Sequence, residues 1–355
     1  MDYIKNGQPY GSVADVLVAN NFDPNALRPY FGDDGRSYIT RMIMHEGKLQ
    51  PMSIPIRNAT ATLRKDDWIQ LDQAIVKVAK PRLKFVGGLR AAGLQYVIPN
   101  GMSKTVLQTE TQSDITDAIV SMDGLRKSEG DRPEFELTNL PLPIIHKDFH
   151  YSLRQIQASR NGGSPLDTTT AELAARRVAE QAEKLALGVN TGITYGGGTI
   201  YGITNYVNRL TKTMTTPTTS GWTGGTFIDE LLAMRLQLQG VYHFGPYKVY
   251  TSPNWDQYLD ADYSTSKGDN TLRERVEKVN GFQSCETMDY LTGYTVVIVQ
   301  QTSDVIRMVA GMEITTLQWD TDGGLRKNFK VMAILVPQIR ADQDSNCGIC
   351  HGTAT

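Results

Sequence analysis

Thr169-Thr170-Ala171-Glu172-Leu173-Ala174-Ala175-Arg176-Arg177-Val178-Ala179-Glu180-Gln181-Ala182-Glu183-Lys184-Leu185-Ala186-Leu187-Gly188 carries the strongest helical signal in this 355-residue chain. Ala171, Ala174, Ala175, Val178, Ala182 and Leu185 recur at helical spacing and form one apolar stripe. Thr169 with Glu172 three residues on reads as a capping box. Glu172 with Arg176, and Glu180 with Lys184, are spaced as i to i+4 ion pairs on the outer face. At about 1.5 Å per residue, a helix over 169–188 spans roughly 30 Å. Its stripe is made of alanine, so it is expected to lie close against a sheet.

Working outward toward the N-terminus, Ile145, Lys147 and Phe149 alternate against His146, Asp148 and His150, the pattern of a strand entering a sheet. Before it, Tyr96 to Ile98, Thr105 to Thr111 and Phe135 to Leu137 read as strands. Asp123-Gly124 and Glu129-Gly130-Asp131 mark turns between them. This is a long hairpin with a polar tip and little core of its own, which needs a partner to lie on. Leu63, Trp68, Leu71, Ile75 and Val78 predict a helix over 61–80 that Pro81 ends, and Leu83 to Ala92 is a second short segment. Residues 1–60 are turn-rich and read as an extended arm, with a helical turn or two at Ser12 to Ala19.

Toward the C-terminus, 189–226 is rich in Gly, Thr and Tyr and reads mostly as loop. Phe227 to Gln239, Pro253 to Leu259 and Leu272 to Val279 read as helices, and Lys248 to Thr251 and Tyr294 to Gln300 as strands. Three strands follow, Val305 to Val309, Ile314 to Trp319 and Phe329 to Ile339. The last strands are expected to pair with the strand at 144–150, which makes 200–303 an insertion in one sheet domain. The fold class is α+β.

Composition narrows the function. Hydrophobic residues make up 40% and charged residues 21%, values of a folded chain. A net charge of -2 supplies no basic stripe like that of tight nucleic-acid binders, so a DNA partner would be enclosed and not read. The apolar runs at 294–299 and 331–336 are too short to span a bilayer, and no secretory signal opens the chain. Three cysteines, an odd number, argue against a disulfide framework and fit a reducing cytoplasm.

Of the histidines His45, His146, His150, His243 and His351, only His146 and His150 are spaced suggestively. In a strand they share a face about 13 Å apart, too far for one metal ion, and are expected as surface or interface residues. Cys347-Gly348-Ile349-Cys350-His351 has the spacing of half a zinc site or a haem attachment, but Cys285 is the one cysteine left to complete a ligand set. It reads as an incidental pair or a redox-sensitive contact at a subunit edge. Gly196-Gly197-Gly198 lacks the Lys-Ser or Lys-Thr of a phosphate loop and reads as a turn. No catalytic, cofactor-binding or metal-binding residue is assigned, and the chain is not expected to be an enzyme.

Several local strings carry a family resemblance: Leu140-Pro141-Leu142-Pro143-Ile144-Ile145-His146-Lys147-Asp148-Phe149, Ala158-Ser159-Arg160, Gly245-Pro246-Tyr247, and Gln318-Trp319 with Phe329-Lys330-Val331. In combination, over roughly 60–345, the chain resembles the major capsid proteins of tailed bacteriophages, the Hong Kong 97 type of fold, especially their encapsulin-like branch. The resemblance implies an N-terminal arm at 1–60 and a peripheral domain at 61–94 and 141–199 with its spine helix at 169–188. It further implies an extended E-loop at 95–140, an axial domain at 200–303, peripheral return strands at 304–345 and a C-terminal tail at 346–355. It implies pentamers and hexamers of an icosahedral head in a virion, made in a bacterial cytoplasm. Such a head encloses double-stranded DNA without sequence-specific contact, with possible cement or decoration, scaffolding and portal partners and no membrane. The alternative is an encapsulin shell around a cargo enzyme. Some relatives cross-link lysine to asparagine. Lys104 or Lys127 near the hairpin is placed to donate, but no motif fixes the asparagine. No long helical prefix precedes the arm, so a separate scaffold or none is expected.

Overall fold

The computed structural model describes residues 4–5, 8–9, 28–32, 34–45, 48–56, 63–99, 101–112, 120, 122, 135–161, 168–190, 192–263, 270–342 and 344–354. The expected turn at Ser12 to Ala19, the hairpin tip at 123–131 and Lys127 lie outside them. The strands in chain order are β1 (Ile4–Lys5), β2 (Gln8–Pro9), β3 (Tyr30–Phe31), β4 (Ser37–His45), β5 (Lys48–Pro55), β6 (Leu63–Arg64), β7 (Gln95–Val97), β8 (Val106–Gln112), β9 (Phe135–Pro141) and β10 (Ile145–Ser152). They continue with β11 (Ile193–Tyr195), β12 (Gly198–Ile200), β13 (Leu210–Met214), β14 (Tyr247–Thr251), β15 (Phe282–Thr287), β16 (Tyr294–Gln300), β17 (Ile306–Thr321), β18 (Arg326–Ile339) and β19 (Ile349–Ala354). The helices are α1 (Lys65–Ala79), α2 (Lys84–Ala91), α3 (Leu153–Asn161), α4 (Thr169–Leu187), α5 (Gly224–Gly240), α6 (Asp256–Leu259) and α7 (Leu272–Glu277).

The chain divides into two compact units. The first comprises Met1–Thr105, Leu142–Leu185 and Met308–Val336. Its main sheet has the order β10-β18-β17-β7. The strand at 144–150 pairs with the last long strand as expected, antiparallel, from Ile145 opposite Ala333 to Ser152 opposite Arg326. β7 joins the other edge in parallel, Met308 opposite Gln95. An aromatic cluster forms the core: Phe329 stacks on Phe149 at 5.2 Å between centroids, with Trp68 of α1 edge-on at 6.0 Å and Tyr151 at 5.6 Å. Arg28 donates to both carboxylate oxygens of buried Asp72 at 2.7 and 2.8 Å and lies 4.4 Å over the Trp68 ring, so the charge it buries is neutralised.

The alanine stripe of α4 is buried over Ala171, Ala174, Ala175, Val178, Ala179 and Ala182. Two expectations about this helix change. Its cap is Thr168 and not Thr169: the Glu172 N–H donates to the Thr168 carbonyl at 2.9 Å, and Thr168 Oγ1 donates to the Glu172 carboxylate at 3.0 Å. Glu180 pairs with Arg176 and Arg177, at 3.4 and 3.0 Å, turning back along its own helix. Glu183, which the sequence did not single out, is 2% exposed. It accepts the N–H groups of Phe85 and Val86 at 2.5 and 3.2 Å, so one carboxylate satisfies two orphan donors at the start of α2.

The two strands expected at 305–309 and 314–319 are one 16-residue strand, β17. Gly311 stands between them, and it marks a close approach of backbones instead of a break. A Cβ added to Gly101 would lie 2.4 Å from the Gly311 backbone. Within the expected arm, β4 and β5 pair antiparallel from Tyr38 opposite Pro55 to His45 opposite Lys48, in a sheet ordered β5-β4-β3-β6. α3 follows β10 directly where continuation of the strand was expected.

The second unit comprises Val106–Pro141, Ala186–Arg307 and Pro337–Thr355. It therefore includes the hairpin and both ends of the expected α/β block. Its sheet has the order β13-β19-β16-β14-β15. The stretch 346–355, expected as a tail, supplies β19, which runs parallel to β13 (Leu210 opposite Cys350) and antiparallel to β16 (Ile298 opposite Cys350). The expected loop at 189–226 contains β11, β12 and β13. β11 and β12 are turned by Gly196 and Gly197, both at positive φ. Phe227, Leu231, Met234 and Leu238 of α5 pack with Val249, Trp255, Ile298 and Cys350 in a dry core.

Candidate assembly surfaces

The β8–β9 hairpin is the longest element without a sheet around it. It pairs antiparallel from Val106 opposite Pro141 to Gln112 opposite Phe135. Strand alternation places Thr109, Thr111 and Thr138 on one face, where their hydroxyls lie 3.3–3.5 Å apart. Phe135, Leu137 and Asn139 share the opposite face. The base of the hairpin is anchored inside its unit: Asn139 Nδ2 donates to the Gly196 carbonyl at 3.0 Å, and Arg307 holds Gln338, which in turn donates to Thr109 Oγ1 at 3.2 Å. Gly198 lies against the Asn139 carbonyl, where any Cβ would sit only 2.0 Å away. Farther out, Phe135 and Leu137 are 62% and 61% exposed. Two large apolar side chains held in water on a fixed strand are what an unpartnered docking face looks like.

A second exposed apolar site follows α5. Tyr242 and Phe244 are 86% and 66% exposed and meet edge-on at 6.4 Å. Tyr242 is at φ 62, and its loop is closed by the Tyr247 hydroxyl donating to the His243 carbonyl. Gln300 Oε1 accepts from His243 Nδ1 at 2.9 Å, fixing that ring as well.

The residues singled out by motif are placed apart from these surfaces. Cys285, Cys347 and Cys350 are free and buried, and burial pushes each thiol up to about 12. Cys350 Sγ donates to Gln237 at 3.4 Å. The expected redox contact at a subunit edge is thus corrected: both cysteines sit in or beside a central strand, as inert thiols. Arg209 Nε donates to His351 Nδ1 at 3.2 Å, which leaves the ring proton on Nε2. Burial, then the Arg209 charge, lowers its pKa to about 4. On β10, His146 and His150 are exposed and serve different neighbours: His146 Nδ1 is 3.7 Å from Asp148, and His150 Nδ1 lies 3.1 Å from the Arg326 guanidinium. His45 lies in β4. Gly196 and Gly197 turn the β11–β12 hairpin. Among the described residues no three His, Cys, Asp or Glu side chains gather as a metal site, and no helix is long and apolar enough to cross a membrane.

Sequence reasoning found the hairpin's need for a partner but not the residues that present it. The available signal was Phe135-Glu136-Leu137 itself, two apolar residues on one face of a strand whose other neighbours are acidic.

Comparison with known proteins agrees with this picture. A family of unknown function (DUF6260) matches residues 58–352. The type 1 encapsulin shell protein EncA of Myxococcus xanthus (strain DK1622) is 30% identical over 221 residues, covering 58% of this chain and 67% of that protein. The virus-like particle from Pyrococcus furiosus superimposes with a TM-score of 0.54 at 13% identity, over 79% of this chain and 97% of its own. The capsid of Myoviridae phage XM1 does so with a TM-score of 0.56 at 12% identity, over 75% and 91%. At such identities the solved structures establish the fold, an α+β fold of the Hong Kong 97 type. The chain belongs to the DUF6260 family and, by its identity to an encapsulin shell protein, to the shell-forming proteins, with the Hong Kong 97-like fold seen in capsids and virus-like particles.

Proposed function

We propose that this chain is the self-assembling subunit of an icosahedral shell built from pentamers and hexamers, and that the shell is an encapsulin-type compartment around a protein cargo. The observation that carries the reading is the 30% identity to an encapsulin shell protein across two thirds of that protein's length. The geometry supports it: a hairpin that exposes Phe135 and Leu137, and a loop that exposes Tyr242 and Phe244, each gain by burial against a neighbouring subunit. In this reading 1–60 is the N-terminal arm, 95–140 the E-loop and 169–188 the spine helix. Residues 200–303 form the axial domain, and 61–94, 141–199 and 304–345 the peripheral domain. The shell assembles in the cytoplasm, and the subunit is structural and not catalytic.

A second reading has its own support. The long hairpin and the β4–β5 sheet ahead of the family-matched region fit the interlocking of a larger shell, a phage head around double-stranded DNA. Scaffolding, cement and portal proteins would then be partners, and the virion its location. Electron microscopy of the assembled protein from its source, with analysis of what the shells contain, tests both. Small shells filled with protein fit the compartment. Large DNA-filled heads with tails fit the second reading and overturn the first. Monomers or small oligomers at every concentration overturn both.

A further inference from the structure

We propose that the cationic ridge Lys77, Lys80 and Arg82, at the end of α1, is the docking surface for the acidic β8–β9 hairpin of a second copy of this chain. The inference rests on the shell reading and names one of its contacts. Two adjoining stretches of sequence carry opposite charge. Residues 73–109 contain no Asp or Glu and six basic residues, Lys77, Lys80, Arg82, Lys84, Arg90 and Lys104. Residues 110–136 contain eight acidic residues against three basic ones, a net charge of -5 in a chain whose total is -2.

The structure sorts the basic group. Arg90 is neutralised internally by Glu313, which accepts two hydrogen bonds at 2.8 Å. Lys77, Lys80 and Arg82 are exposed, and among the described residues no carboxylate pairs with them. Lys77 sits in the last turn of α1, where the helix dipole favours one cation. Further cations within one turn repel it and one another, so the ridge carries charge beyond what its own helix end uses. Exposed Val76 lies beside it. On the hairpin, Glu110 and Glu136 are exposed; Glu110 stands opposite Leu137 on the apolar face, and Glu136 stands opposite Thr111 on the other face. The two surfaces match: each has charge set around apolar side chains, with the signs opposed. Because the surfaces differ, the contact between copies is heterologous, and such contacts close into rings and shells.

The test is a charge reversal in the full chain. Lys77→Glu, Lys80→Glu and Arg82→Glu together lie on exposed positions and leave the subunit folded, read by circular dichroism and its melting temperature. The expected result is loss of shells by electron microscopy. Adding Glu110→Lys, Glu134→Lys and Glu136→Lys in the same chain restores them. Wild-type shells treated with a zero-length carbodiimide should give a ladder of cross-linked chains, with Lys77 or Lys80 joined to hairpin carboxylates. Normal shells from the ridge variant overturn the inference. So do cross-links confined within single chains. So do intact shells that have lost only bound nucleic acid, which would place the ridge against phosphates. Failure of the unaltered chain to assemble strikes the shell reading itself, and the two failures are thereby distinct.

Discussion

Phe329 and Phe135 both stand on antiparallel strands, yet the first is sealed among Trp68, Phe149 and Tyr151 while the second keeps most of its surface in water. The sheet around Phe329 is a finished core whose apolar area was removed from water when the chain folded. The hairpin around Phe135 has a complete ladder of backbone pairs and an anchored base, but its apolar face is unfinished. The difference separates two kinds of surface in one subunit: the core is completed within the chain, and the apolar face of the hairpin is left exposed, which under the proposed function is completed on assembly.

Substitutions that strike one region and spare the other break or sharpen this contrast. The largest effect is expected at Phe329→Ala, which opens a cavity in the aromatic cluster. Denaturant unfolding of the unassembled subunit should lose about 3–5 kcal/mol. Next is Glu183→Ala, which leaves the Phe85 and Val86 N–H groups buried without their acceptor. The same measurement should show a loss of about 1–3 kcal/mol. A pH-dependent effect is expected at His351, whose folded pKa of about 4 lies below its ordinary 6.5. The native state then binds fewer protons than the unfolded one, so its contribution is complete above pH 6.5. It is lost as pH falls toward 4 and is level below. His351→Gln should flatten that part of the stability profile, and an unchanged acid slope would refute the assignment. Smallest in the subunit is Phe135→Ser with Leu137→Ser, expected to stay within about 0.5 kcal/mol of wild type while shell yield collapses. A large loss of subunit stability there would mean the hairpin face is already buried.

The helix at 169–187 was legible almost to the residue because its alanine stripe is local and regular. The pairing of β10 with β18 was legible from the alternation of β10 and from the apolar run at 331–336 that marks β18 as a strand. What escaped the sequence depends on distant neighbours. β19 is the six-residue strand Ile349-Cys350-His351-Gly352-Thr353-Ala354, which has no clear alternation of its own and is held between β13 and β16. The continuity of β17 across 310–313 escaped because Gly311 belongs there only through the close approach of the Gly101 backbone. Glu183 has the same chemistry as Glu180 one turn earlier. Only the N-terminus of α2 makes it a buried cap. The candidate surfaces were half legible: a hairpin without a core demands a partner, but exposure of Phe135, Leu137, Tyr242 and Phe244 is a property of the folded chain.

The most direct measurement replaces residues 107–140 with a short turn and examines the purified protein by sedimentation velocity. The hairpin's unfinished face predicts a folded subunit, with the near-ultraviolet signal of the Trp68 and Trp255 cores intact, that no longer forms shells. Shells of normal size from the shortened chain would contradict it.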